Sequence, residues 1–160
     1  LGMDLDGDGD VDVTDLKQLT TDDAVKVYKR FYWDAVQADL LPHGVDYTVA
    51  DFAVNSGPGR SAKYLQRVVG VKADGAIGPK TIAAVEARDA KDIIRQVNAN
   101  RLAFMKRLST WRTFGRGWQR RVDEVLAHSL QLASRPVTAP KSNALSGIIR
   151  LIQSVLRMFK

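Results

Sequence analysis

Apolar residues recur three and four positions apart through most of this chain and nowhere show sustained alternation, which points to helices packed on helices. In "TTDDAVKVYKRFYW", Thr and Asp mark a helix start, and Ala24, Val27, Tyr28 and Phe31 follow on one face. "VDYTVADFAVN" reads as a short, strongly apolar helix closed by "SGPG" at residues 56–59. Ser61 is the expected N-cap of "SAKYLQRVVG", which stops at Gly70 with Ala62, Leu65 and Val69 on one face. Pro79 sits where a first helical turn accepts proline and opens "PKTIAAVEA". Ile93, Ile94, Val97, Arg101, Phe104 and Leu108 mark a longer helix. Trp118, Val122, Val125, Leu126 and Leu130 mark another, expected to begin after "FGRG". With no strand alternation and no internal repeat, the predicted fold class is all-α.

At 160 residues the chain is long enough for one compact domain with a substantial core. It holds no cysteine, which excludes a disulfide framework and leaves the redox compartment open. No apolar run is long enough to span a bilayer, and nothing at the start resembles a signal peptide. Charge is segregated. Residues 1–16 carry six acids and no base, so the remainder holds 24 bases against twelve acids. The last sixty residues contain twelve Lys or Arg against only Asp123 and Glu124. Such a surface suits an anionic partner, whether nucleic acid, acidic lipid or a cell-wall polymer. No nucleic-acid-binding motif accompanies it, so nucleic acid is not an expected partner.

Residues 133–143, "ASRPVTAPKSN", read as a linker from their prolines and small polar residues. Residues 144–160 then form a cationic amphipathic helix, with Ile148, Ile149, Ile152, Leu156 and Phe159 on one face and Arg150, Gln153, Ser154 and Arg157 elsewhere. Two uses fit it: docking on the domain or a partner, or contact with a membrane surface.

Near the start, "DLDGDGDVDVTD" matches a calcium loop of EF-hand type. Asp4, Asp6 and Asp8 fall at loop positions 1, 3 and 5, and Gly9 at position 6 permits the sharp turn. Asp10 can offer its carbonyl, Asp12 a water-mediated contact, and Asp15 the closing carboxylate at position 12. A hard dication requires this crowd of oxygens, and the carboxylates would repel one another without it. The short closing Asp and the single copy of the loop favour a structural Ca2+ over a sensor.

The middle of the chain carries the most diagnostic motifs. The "YW" of Tyr32 and Trp33, the run "DFAVNSGPGRSAKYLQ", the segment "GVKADGAIGPKT" and the later Gly117, Trp118 with Arg120 or Arg121 occur in an order and spacing that resemble the phage-endolysin and secretion-activator muramidases, glycoside hydrolase family 108. The resemblance covers roughly residues 1–132 and implies a lysozyme-like helical domain. It divides the chain into a muramidase region over residues 1–70 and a peptidoglycan-binding-like region over residues 71–132. It implies hydrolysis of the β-1,4 bond between N-acetylmuramic acid and N-acetylglucosamine, with peptidoglycan as partner, a cell-wall or periplasmic site of action, and a phage or prophage origin.

That chemistry needs a carboxylic acid to protonate the leaving oxygen. In the family the acid is a Glu within an "EGG" motif. The only glutamates here are Glu86 and Glu124, neither in a matching position. The expectation is therefore that the catalytic Glu lies upstream of Leu1, and the non-Met start is consistent with a missing segment. Asp51 and Asn55, one helical turn apart, are the candidate polar residues for the substrate cleft, or else they cap local backbone. Tyr32 and Trp33 either stack on sugar faces or belong to the core. "GVKADGAIGPKT" is either a recognition element or a structural helical hairpin. His43 and His128 are isolated, with no second ligand at metal spacing. A non-catalytic, calcium-stabilised peptidoglycan-binding module is the alternative to the enzyme.

Overall fold

The computed structural model describes Gly9, residues 20–135 and residues 144–156, and among these residues there are helices and turns but no strand. Seven α-helices follow in order: α1 (Thr21–Tyr28), α2 (Val45–Ser56), α3 (Pro58–Val69), α4 (Pro79–Glu86), α5 (Ala90–Met105), α6 (Trp111–Ala133) and α7 (Ala144–Leu156). Their packing gives one core cluster, and all-α is the fold class observed among the described residues.

The first helix starts as its sequence predicts. The Thr20 hydroxyl accepts from the Asp23 amide at 3.2 Å, and the Asp23 carboxylate accepts from the Thr20 amide at 3.3 Å, a reciprocal cap. The helix then loosens into a π-turn at Lys29–Trp33 and two 3-10 turns, Asp34–Val36 and Ala38–Leu40. A π-turn shifts the register of the side chains that follow it. Here it turns Trp33 inward, 2% exposed, with its indole N–H donating to Asp39 at 2.8 Å.

Helix α2 is the centre of the molecule. Val45 through Ala53 are buried without a break, as expected of a helix apolar on every side. Gly57, at φ +88°, ends it, and Pro58 at once begins α3, so the joint between the two helices is a tight turn. Ser61 is therefore not the N-cap it was expected to be. It lies inside the first turns of α3, where its hydroxyl donates to the Val49 carbonyl at 2.6 Å and ties α3 to α2.

The long helix α6 also differs from expectation, because it begins at Trp111 and runs straight through "FGRG". Gly115 is needed there: a Cβ would sit 2.6 Å from the Trp111 ring folded over it. The terminal helix α7 packs its apolar residues on the domain, burying Ile148 and Leu151 completely or nearly so. Gly147 lets it approach Trp33, whose ring lies 3.1 Å from where a Cβ would stand. Docking is thus the use of this helix that the structure displays. No helix of the described residues is long and apolar enough to cross a membrane. Most of the 133–143 linker lies outside the described residues.

Candidate functional site

Two of the polar and aromatic residues singled out for substrate contact lie in the core. The Asp51 side chain is completely buried, and its carboxylate is held by two arginines from distant helices. Arg121 on α6 donates through Nε to Oδ1 at 3.0 Å and to Oδ2 at 3.1 Å, and through Nη2 to Oδ2 at 2.7 Å. Arg101 on α5 donates from Nη1 and Nη2 to Oδ1, both at 3.2 Å. Burial by itself would raise the Asp51 pKa, but Arg101 and Arg121 outweigh it and hold the carboxyl below its usual range. Asp51 is consequently a fixed anion in a charge cluster, and the substrate-cleft expectation for it is corrected. The same correction applies to Trp33, whose burial behind the π-turn leaves no face for a sugar.

Asn55 and Tyr32 are placed differently. Asn55 is half-buried in the last turn of α2. Tyr32 is half-buried in the π-turn, its ring 5.4 Å from that of Tyr28 and tilted 50° to it. Asp4, Asp6, Asp8, Asp10 and Asp15 of the acidic loop lie outside the described residues. Gly9 is described and has φ +94°, a backbone conformation that glycine adopts freely. Among the described residues no three His, Cys, Asp or Glu side chains gather as a metal site.

"GVKADGAIGPKT" has an internal clamp. Gln66 on α3 donates to the Asp74 carboxylate at 2.7 Å and to the Ala76 carbonyl at 2.9 Å, and it accepts from the Gly75 amide at 2.9 Å. The Ala76 amide donates to Asp74 at 3.0 Å. That bond and the one from Gln66 lower the Asp74 pKa. Every one of these contacts is internal to the loop and its helix, so in the structure the segment is a braced hairpin.

The two glutamates are both exposed: Glu86 at the end of α4 and Glu124 on α6. Glu124 stands at the edge of a groove of about 430 Å³ that Tyr47, His128, Gln131 and Arg150 also line. There His128 meets Tyr47 edge-on at 4.9 Å, and its Nδ1 lies 3.3 Å from Nη1 of Arg150. Burial, then the charges of Arg150 and Arg135, push the His128 pKa below the ordinary imidazole value. A glycosidase acid needs the reverse shift, upward, in a carboxyl. The described carboxyls that are displaced, Asp23, Asp51, Asp74 and Asp92, all move downward.

Sequence reasoning missed the partners of Asp51. A signal existed: Arg101 interrupts the apolar stripe of α5, and Asp51 interrupts the strongly apolar run "VDYTVADFAVN". Of the two residues left open at the end of "GW-x-R", Arg121 is the buried one and Arg120 is exposed.

An all-helical body carrying these motifs defines a class. The chain belongs to the glycosyl hydrolase 108 family, whose model matches residues 3–57, and it continues into a predicted peptidoglycan domain matched over residues 60–123. The second match begins ahead of the boundary expected between residues 70 and 71, and it includes most of α3. Among solved structures, the chain is similar to SagA of Brucella abortus, with 45% identity and a TM-score of 0.75. That match covers 78% of this chain and 72% of SagA. No curated protein matches the chain. These matches support a peptidoglycan-hydrolase-related role, peptidoglycan as the partner, and the cell wall or periplasm as the site of action.

The Asp51 cluster acquires meaning from these limits. Asp51 lies in the hydrolase-matched region, and Arg101 and Arg121 lie in the peptidoglycan-matched region. A buried charge cluster therefore bridges the two, and only the Gly57–Pro58 turn separates α2 from α3 along the chain.

Proposed function

We propose that this chain is the scaffold and peptidoglycan-holding part of an N-acetylmuramidase that cleaves the β-1,4 bond between N-acetylmuramic acid and N-acetylglucosamine. The observation that carries this reading is the bridge from Asp51 to Arg101 and Arg121, which locks the hydrolase region and the peptidoglycan region into one core. A polymer held by the second is thereby held in a fixed relation to the first, and such positioning is a large part of glycosidase catalysis. Asn55 and Tyr32, both half-buried at the ends of their elements, are the residues assigned to glycan contact. The proposal assigns the proton donor to a glutamate outside these 160 residues, because Glu86 and Glu124 are both exposed and neither stands in an "EGG" motif. Purified cell walls are expected to clear in turbidity when an "EGG"-bearing segment is joined ahead of Leu1, and not with this chain alone. Absence of clearing by the extended protein, with wall binding retained in a sedimentation assay, would leave the non-catalytic binding module as the correct reading. The downward direction of every displaced carboxyl among the described residues, Asp23, Asp51, Asp74 and Asp92, favours that second reading for the isolated chain.

Calcium has a structural part in the proposal. Asp4, Asp6, Asp8 and Asp15 would hold Ca2+ through carboxylates and Asp10 through its carbonyl, and the left-handed backbone of Gly9 fits the turn this requires. A bound ion stabilises the folded chain by about 2.7 kcal/mol at one hundred times its dissociation constant. The melting temperature is expected to rise by several degrees in calcium relative to chelator. Superimposable melts in the two conditions would count against the site.

A further inference from the structure

We infer that the groove along the first half of α6 binds the stem peptide of peptidoglycan, at stems whose diamino-acid amine is free. The inference rests on peptidoglycan being the partner, and it adds which part of the polymer is held. The groove has a volume of about 780 Å³ and runs from the end of α5 along one face of α6. Lys106, Arg112, Arg116 and Arg120 line it, all exposed. Asp123 and Glu124, exposed as well, line it further along the helix. Cations thus occupy one end and carboxylates the other. Residues four apart on a helix are neighbours, so Arg112, Arg116 and Arg120 form a row of mutual repulsion. Arg112 also stands in the first turn of α6, where the helix dipole disfavours a cation. No carboxylate of the described residues is ion-paired with any of the four, although Glu124 is one turn from Arg120. An anionic ligand would offset that repulsion.

The order of charges selects the ligand. The glycan strand carries N-acetyl sugars whose lactyl carboxyls are amidated to the stems, so it offers the four cations no charge. A uniform polyanion would use the cations but meet repulsion from Asp123 and Glu124 at the far end. A stem peptide carries free carboxylates along its length and one ammonium on its diamino acid, which is the order the groove complements. In diaminopimelate that ammonium shares a carbon with a carboxylate, matching Arg120 beside Asp123 and Glu124. Crosslinking through this amine converts it to a neutral amide, so the acidic end favours stems not crosslinked there. Length agrees as well. Arg112 and Asp123 stand about 16 Å apart along the helix axis, and four to five extended residues span about 13–18 Å. Trp111, half-buried against Gly115, gives the groove an apolar floor that alanine methyls can cover.

The test is co-sedimentation of the full chain with insoluble peptidoglycan, competed by soluble N-acetyl-L-Ala–γ-D-Glu–diaminopimelate–D-Ala, whose one free amine is that of the diamino acid. This peptide is expected to displace the chain, and its counterpart acetylated on that amine to do so about tenfold less well. Arg112→Gln with Arg116→Gln is expected to weaken binding of the free peptide about tenfold, with an unchanged circular-dichroism melt. Asp123→Asn with Glu124→Gln should instead erase the difference between the free and the acetylated peptide. The inference is overturned if the free peptide does not compete, or if glycan strands stripped of their stems retain the chain as well as the intact polymer does. Either result leaves the peptidoglycan-holding role standing and assigns it to the glycan. Competition by polyglutamate equal to that by the peptide also overturns it, reducing the groove to a general anion patch. Failure to sediment with intact peptidoglycan removes the holding role itself, and the inference with it.

Discussion

Asp51→Asn is expected to cost about 3–5 kcal/mol of folding stability, as measured by urea denaturation, because it leaves two buried guanidinium groups facing a neutral amide. Against a total of about 5–15 kcal/mol for a domain of ordinary stability, that is enough to bring the chain close to unfolding. The two arginines are not equivalent. Arg121 makes three bonds to the carboxylate, whereas the Arg101 Nε is buried without a partner. Burial and repulsion from Arg121 both act against the Arg101 charge, partly offset by Asp51. Arg101→Met, which keeps the bulk over Phe52 and leaves one Asp51–Arg121 pair, should therefore cost clearly less than Asp51→Asn. Equal losses in the two variants would refute this ordering.

The same cluster sets an acid limb. The folded-state pKa of Asp51 lies below its unfolded value, so the stability from its ionised form is complete above about pH 4. It is lost as pH falls from there through the folded value. In Asp51→Asn, the fall in stability below about pH 4 should be shallower than in the parent.

Gly44→Ala is expected to be the second severe change, at about 2–4 kcal/mol. Gly44 opens α2 with φ +83°, and a Cβ there would lie 2.2 Å from the Ser129 carbonyl oxygen and 2.9 Å from Ile94 Cδ1. Neither neighbour yields easily, since one is helix backbone and the other a fully buried side chain. Beside it, the Thr48 hydroxyl donates to Ser129 at 2.8 Å, so the same displacement would break a buried bond between α2 and α6. Gly70→Ala is the control. Its φ is +79° but nothing lies within 4 Å of the added Cβ, so only the backbone term of about 1 kcal/mol is expected. Similar melting temperatures for the two variants would show that the contact with Ser129 does not limit the packing.

How much of this was legible depends on how local the signal is. Thr20 with Asp23, Gly70 and Pro79 were readable because a cap or a stop is decided within four residues. Ser61 misled because it has the chemistry of an N-cap, yet Gly57 and Pro58 start the helix earlier, and its hydroxyl was free to serve α2. "FGRG" misled because glycine is usually a break, whereas Gly115 is there to admit the Trp111 ring. Trp33 could not be placed from periodicity, since a π-turn changes the period at the residues that would have to reveal it.

The amino-acid sequence alone determined the helical class, most helix boundaries and the family, because periodicity, caps and ordered motifs are properties of neighbouring residues. Only the tertiary structure decided what Asp51, Trp33 and the terminal helix do. Arg101 and Arg121 are 50 and 70 residues from Asp51 along the chain. Nothing local distinguishes an aspartate that will meet two arginines in a dry core from one that will line a cleft. That distinction is made by burial, and burial exists only once the helices have packed.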